Sequence, residues 1–144
     1  MLRKIAITVV VILAVILVMF NTKGANSRQK ITLGSSKLTV EVVDNPVEQA
    51  RGLSGRRSLC DNCGMLFVYP KPQVQNFWMK GMAFPLDFVF IRDGRVVEVV
   101  ENISPLNGSG NVSRVQSREE ADRVLEVNAE YIRKHGVKVG DPAI

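Results

Sequence analysis

Three charged residues and one cysteine pair are the parts of this chain whose types and spacing could do chemistry. Arg51, Asp87 and Glu126 lie in or beside apolar stretches. Asp87 stands between Leu86 and Phe88 at the start of a strand-like run, and Glu126 stands inside Val124-Leu125-Glu126-Val127. In a strand, Glu126 shares a face with Val124 and opposes Leu125 and Val127. A carboxylate so placed must face solvent or find a partner, because an unpaired buried charge is costly. Two readings follow. In the functional one, a pocket gathers the three residues: Arg51 binds an anionic group, and Asp87 or Glu126 serves as acid, base or ligand clamp. In the structural one, they form an Arg–carboxylate network that holds a small β domain together.

The apolar set Phe67, Tyr69, Phe77, Trp78, Met79, Met82, Phe84, Phe88 and Phe90 is either the core of such a domain or the wall of a ligand cleft. Met79 is the member placed in the candidate pocket with Arg51, Asp87 and Glu126. Cys60 and Cys63 form a C-x-x-C pair. They read as a local disulfide or free thiols, as a redox-active pair, or as two metal ligands. A redox centre of the thioredoxin type needs a surrounding βαβ unit, and none is legible here. A zinc site needs four ligands, and the single histidine, His135, is far along the chain. No metal and no cofactor is therefore expected. The chain also lacks a Gly-x-Ser-x-Gly elbow, a His-Glu-x-x-His pair and a dinucleotide fingerprint.

These residues need a scaffold, and the length allows one domain with an appendage. Arg3 and Lys4 precede an uncharged run over residues 5–20, broken in apolar character only by Thr8. As a helix that run spans about 24 Å, and snorkelling of the basic pair extends it toward the ~30 Å of a bilayer core. Residues 1–22 are expected to be an uncleaved signal anchor, residues 23–29 a polar linker, and residues 30–144 a β-rich domain outside the cytoplasm, in the periplasm or at the cell surface. The net charge of +5 belongs to the leader. Residues 1–30 hold five of the 19 Lys+Arg and no acid, leaving 14 cations against 14 anions in residues 31–144. A balanced domain argues against a nucleic-acid partner. The expected partners are the membrane, through the N-terminal helix, and a small molecule, envelope polymer or protein.

Within the domain, residues 30–33 and 37–43 read as a hairpin around Gly34-Ser35-Ser36. Asn45, Pro46 and Gly52 have the order of a helix cap, first turn and stop. Residues 65–69 form a short strand ended by Pro70 and Pro72, and residues 74–79 form another. Residues 86–91 and 96–100 flank Asp93-Gly94, the preferred pair for a type I′ turn. Residues 104–113 are a Gly/Asn/Ser-rich loop with three Asn-x-Ser triplets. Residues 117–134 are ambiguous: Ser117 and Glu120 could form a capping box on a helix, yet 124–127 reads as a strand. Gly136 suits a helix stop, His135 a helix end, and 137–139 a closing strand.

Arg51-Gly52-Leu53, Gly64-Met65-Leu66-Phe67, Phe77-Trp78-Met79, Pro85-Leu86-Asp87, Val124-Leu125-Glu126-Val127 and Gly140-Asp141 occur in an order and spacing that resemble the domain of unknown function 192 family, also called uncharacterised protein family 0127. The resemblance covers about residues 31–142. It implies a mainly β, α+β fold: a compact β pseudo-barrel with one or two short helices, preceded here by the N-terminal transmembrane helix. It also implies that 124–127 is a strand followed by a helix over about 128–135. Cys60-Asp61-Asn62-Cys63 departs from the family pattern. The family carries no established activity. The expected function is a membrane-tethered binding or structural domain, with a small hydrolase or lyase using Asp87, Glu126 and Arg51, or a thiol–disulfide protein using Cys60 and Cys63, as alternatives.

Overall fold

A computed structural model describes residues 27–144. The expected signal anchor lies outside the described residues, and among those described no helix is long and apolar enough to cross a membrane. Strand β1 (Ser27–Leu33) takes in the last residues expected of the linker. It is followed by β2 (Ser36–Val43), helix α1 (Pro46–Arg51), β3 (Cys63–Trp78), β4 (Leu86–Arg92), β5 (Arg95–Ile103), β6 (Arg114–Asn128) and helix α2 (Tyr131–His135).

Local chemistry accounts for most of these elements. The Asn45 carboxamide oxygen accepts from the Glu48 N–H at 3.0 Å, Pro46 opens α1, and Gly52 ends it at φ 49°, ψ −136°, a conformation open essentially to glycine. Asp93 and Gly94 both take positive φ, 52° and 73°, and join β4 to β5 through the register pair Arg92↔Arg95. The two short strands expected around Pro70 and Pro72 are instead one long β3. Its pairing with β6 slips between Val68 and Gln73, so both prolines fall in an irregularity where the ladder asks for no N–H. Residues 117–123 are strand rather than helix. Ser117 is no cap: its hydroxyl accepts from the Gln75 N–H and donates to the Glu119 carbonyl.

The six strands form one sheet in the order β1-β2-β3-β6-β4-β5. Only β2 and β3 run parallel, joined by α1 and the loop after it. The expected pseudo-barrel is corrected: the sheet is open, with β1 and β5 as its edges. The C-terminal tail spans them at one end through isolated bridges, Leu33↔Ala143 and Arg95↔Pro142, instead of adding the strand expected over 137–139. This arrangement follows from order, since β1 and β5 are separated by four strands and only the tail reaches both.

Strand alternation sorts the interior into two cores, one on each sheet face. Leu38, Val40, Leu66, Val89, Leu125 and Val127 pack with Tyr131 and Ile132 of α2. Met65, Phe67, Phe88, Phe90 and Val124 pack with Leu53 from the loop after α1. Gly64 permits the close approach of β3 and β6. A Cβ there would lie 2.8 Å from Leu125 Cδ1 and 2.9 Å from the Glu126 carbonyl oxygen. Gly64→Ala is expected to cost about 1–3 kcal/mol, as overpacking does, read as a lowered urea midpoint. An unchanged midpoint would contradict this packing.

Candidate functional site

The register places Glu126 at the centre of the second core. Its cross-strand neighbours are Met65 on β3 and Phe88 on β4, and Met65 in turn pairs with Glu41 on β2. Directly opposed residues point to the same face, so Glu41, Met65, Glu126 and Phe88 form one row across four strands. Glu126 is 5 % exposed. Its Oε2 is buried and has no hydrogen-bond partner.

Asp122 Oδ1 and the Tyr131 hydroxyl share that lack of a partner, but Glu126 differs from the other two acidic residues that are buried as a whole. Among the described residues, Asp87, Glu98 and Glu126 are the buried carboxylates. Asp87 accepts from the Asn102 N–H at 2.8 Å and the Ile132 N–H at 3.0 Å. Glu98 accepts from the Arg118 N–H at 2.7 Å and the Glu119 N–H at 3.2 Å. Native structures rarely leave a buried polar oxygen unmatched, and the exceptions repay explanation.

Burial pushes the Glu126 carboxyl up to about 8, against a smaller downward pull from the Arg56 guanidinium. Desolvation in an apolar setting favours the neutral acid. At pH 7 the group is therefore mainly a carboxylic acid, able to donate through O–H. Tyr69 is pushed up to about 12, first by burial and then by the Glu126 charge. The phenol is neutral across the physiological range.

A small cavity of about 20 Å³ reaches Glu126 beneath the C-terminal turn of α1, lined also by Arg51, Phe67, Phe77, Trp78 and Met82. That volume accommodates about one water-sized group. Two larger surface pockets share its lining. One, about 320 Å³, takes in Arg51, Gly52 and Ser54 together with Glu48 and Arg56. The other, about 380 Å³, takes in Phe77 and Trp78 together with Tyr69 and Arg114. The candidate cleft is thus a basic pocket and an aromatic pocket that flank a one-water cavity, and of the three only that cavity is lined by Glu126. Its rim is held by local bonds: Ser54 Oγ donates to the Lys80 carbonyl at 2.7 Å, and the Gly55 N–H donates to the Gly81 carbonyl at 2.9 Å.

The structure brings together two of the four residues expected in one pocket. Arg51 and Glu126 line the same cavity. Asp87 does not join them. Phe88 is the residue in register with Glu126, so Asp87 points to the opposite sheet face. There it satisfies the first turn of α2, whose cap residue Glu130 makes no side-chain cap bond, and the left-handed Asn102 at φ 57°. Met79 is 2 % exposed and packs in the core instead of lining the cavity.

The ion pair expected between Arg51 and Asp87 or Glu126 is not made among the described residues; instead Arg56 pairs with Glu41, its two terminal nitrogens donating to the Glu41 oxygens at 2.7 and 2.6 Å. This bidentate contact raises the Arg56 pKa, with burial opposing it. Arg51 is exposed and makes no ion pair among the described residues. Arg56 and Glu41 are the site residues that the sequence reading missed, while Tyr69 belongs to the aromatic set expected as core or cleft wall. Glu41 carried a usable signal, since it alternates with Val43 and so shares its inward face.

Cys60 and Cys63 are joined in a disulfide. They lie away from the Glu126 cavity, on a pocket of about 240 Å³ with Arg28, Glu41 and Arg56. Asn128 Nδ2 donates to the Leu59 and Cys60 carbonyls at 3.0 and 3.1 Å, which fixes this turn against the end of β6. Among the described residues no group of three or more His, Cys, Asp or Glu is placed to hold a metal.

The family model of DUF192, described as Uncharacterized ACR, matches residues 29–143. The chain belongs to the DUF192 family. Solved structures agree. A proposed transcription regulator from Sinorhizobium meliloti 1021 is 31 % identical, with a TM-score of 0.76 over 83 % of this chain and 94 % of that one. A protein of unknown function from Novosphingobium aromaticivorans DSM 12444 is 27 % identical, with a TM-score of 0.75 over 86 % of this chain and 89 % of that one. No curated protein matches. In this DUF192 chain the motifs Arg51-Gly52-Leu53, Phe77-Trp78-Met79 and Val124-Leu125-Glu126-Val127 meet around one cavity, whereas in Pro85-Leu86-Asp87 the leucine packs in the core on that face and the aspartate serves the opposite one.

Proposed function

We propose that the protein is a membrane-tethered domain outside the cytoplasm that binds a small molecule in the cleft over Glu126. The observation that carries the binding reading is the buried, unpartnered Glu126 Oε2 beneath that cleft. A domain that needed Glu126 only for stability would do better with an apolar side chain between Met65 and Phe88, because an unmatched buried carboxyl costs stability. A ligand that hydrogen-bonds the group supplies the missing partner. Tethering rests on the uncharged run over residues 5–20 behind Arg3-Lys4, which has the form of an export signal and anchor. The balance of 14 cations and 14 anions in residues 31–144 favours a small ligand over a nucleic acid.

A fragment screen on the full chain in detergent, read as thermal stabilisation, tests the binding reading. Fragments of anionic, neutral and cationic character are compared on the protein and on Glu126→Leu. Saturable stabilisation that the variant loses is the expected result. If no fragment stabilises the protein more than it stabilises Glu126→Leu, the reading is wrong.

One observation favours a second reading, acid–base catalysis. A carboxyl held near pH 8 is close to the pKa that suits a general acid or base at neutral pH. The residues that would carry it are Glu126, as proton donor or acceptor, and Arg51, as the anchor for an anionic substrate. Asp87 has no part in it.

A further inference from the structure

The charges around the cleft specify what kind of small molecule fits, given the binding reading above. On its basic side Arg56 is already matched by both oxygens of Glu41. Glu48 is held at 2.7 Å by the Asn45 amide. Arg51 is left exposed at the end of α1 with no ion pair among the described residues. On the aromatic side the cations are Arg114, which also makes no ion pair among them, and Lys80, whose Nζ sits 5.3 Å over the Trp78 ring. The acids near the cleft are occupied, and its unmatched cations are at the rim.

We propose that the cleft binds a small organic carboxylate. Its charged head pairs with Arg51 and accepts a hydrogen bond from the Glu126 carboxyl at the floor, and its apolar body lies on Phe77 and Trp78. An exposed Arg–carboxylate pair alone is weak. The hydrogen bond from a neutral acid to a carboxylate is of the short, charge-assisted kind, and its donor here is a side chain only 5 % exposed. A cationic head would meet the rim cations and find a floor that is neutral at pH 7.

The charged and titratable groups facing this floor are Arg51 and Glu48 from α1, Arg56 from the following loop, Glu41 from β2 and Tyr69 from β3. Tyr69, pushed up to about 12, stays neutral below pH 9. Glu126 therefore governs the pH dependence of binding. As it ionises through about 8 it loses its O–H donor and repels the carboxylate.

Trp78 is the single tryptophan of the chain and lines the cavity, so its fluorescence reports occupancy directly. The test titrates the full chain in detergent with benzoate, benzyl alcohol and benzylamine, which share one body and differ in head charge. Benzoate is expected to give a saturable change at pH 6 and to bind about tenfold more weakly at pH 9, one unit above the Glu126 midpoint. Arg51→Ala, at an exposed position that leaves the fold intact, is expected to weaken benzoate at both pH values. Glu126→Gln, which keeps a donor, is expected to bind benzoate with no pH dependence. Benzoate affinity that is equal at pH 6 and pH 9, or unaffected by Arg51→Ala, would overturn the proposal. Saturable binding of benzylamine or benzyl alcohol in preference to benzoate would overturn the anion assignment and leave the binding reading standing. No saturable change with any probe, together with a failed fragment screen, would overturn both.

Discussion

Replacing Glu126 by leucine is expected to stabilise the protein in alkaline solution and to remove most of its pH dependence between about pH 4.5 and 8. Unfolded, Glu126 titrates at its ordinary 4.5, and folded it titrates at about 8. Between those values the native state keeps a proton that the unfolded state has released. Stability therefore falls as pH rises through the window, is complete below it and loses no more above it. A fully buried group with that shift accounts for a loss on the order of 5 kcal/mol across the window. The leucine removes it and packs between Met65 and Phe88 without an unmatched oxygen. Urea midpoints at pH 5 and pH 9 check this. The variant should at least match the protein at pH 5 and exceed it by a wider margin at pH 9. Equal losses in both proteins over that range would contradict the account. A residue whose removal strengthens the fold and abolishes binding is one kept for function.

Asp87→Ala is expected to do the reverse. Its two oxygens satisfy the Asn102 and Ile132 N–H groups inside the domain, and its side chain is fully buried. The alanine strands both donors, and α2 loses the group that replaces a side-chain cap. The cost is about 3–5 kcal/mol, from two charge-assisted bonds and the donors left unmatched. Chemical denaturation should show the loss at pH 7, while the variant that remains folded at low temperature should bind cleft fragments as the unaltered protein does. Weakened binding without loss of stability would return Asp87 to the cleft. Asp87 thus serves stability on one face of the sheet, and the proposed ligand site lies on the other.

The elements that local rules govern were readable from the chain. Asn45-Pro46 and Gly52 bound α1, Asp93-Gly94 turns β4 into β5, and Gly136 at φ 63° ends α2. Glu126 in a strand beside Val124 was also readable, and this residue leads to the site. Readings that needed long-range information failed. Pro70 and Pro72 appear to end a strand until β6 is known to slip past them unpaired. The pairing of Asp87 with Glu126 looked natural because both sit in apolar runs, but β6 lies between β3 and β4 and puts Phe88 opposite Glu126. One step of register decides the face, and nothing local sets that step. The sequence points to Arg51 rather than Arg56 because the parallel β2–β3 pairing, which places Glu41 within reach of Arg56, is a property of topology. The open sheet, in place of a pseudo-barrel, likewise depends on which strands end at the edges.

The measurement closest to the centre of this account is a carbon-13 NMR titration of the Glu126 side-chain carboxyl in the full chain, assigned by its absence in Glu126→Gln. The expected result is a midpoint near 8, with the group protonated at pH 7. A midpoint near the ordinary 4.5 would mean an ionised, solvated or paired carboxylate, and the site described above would not exist.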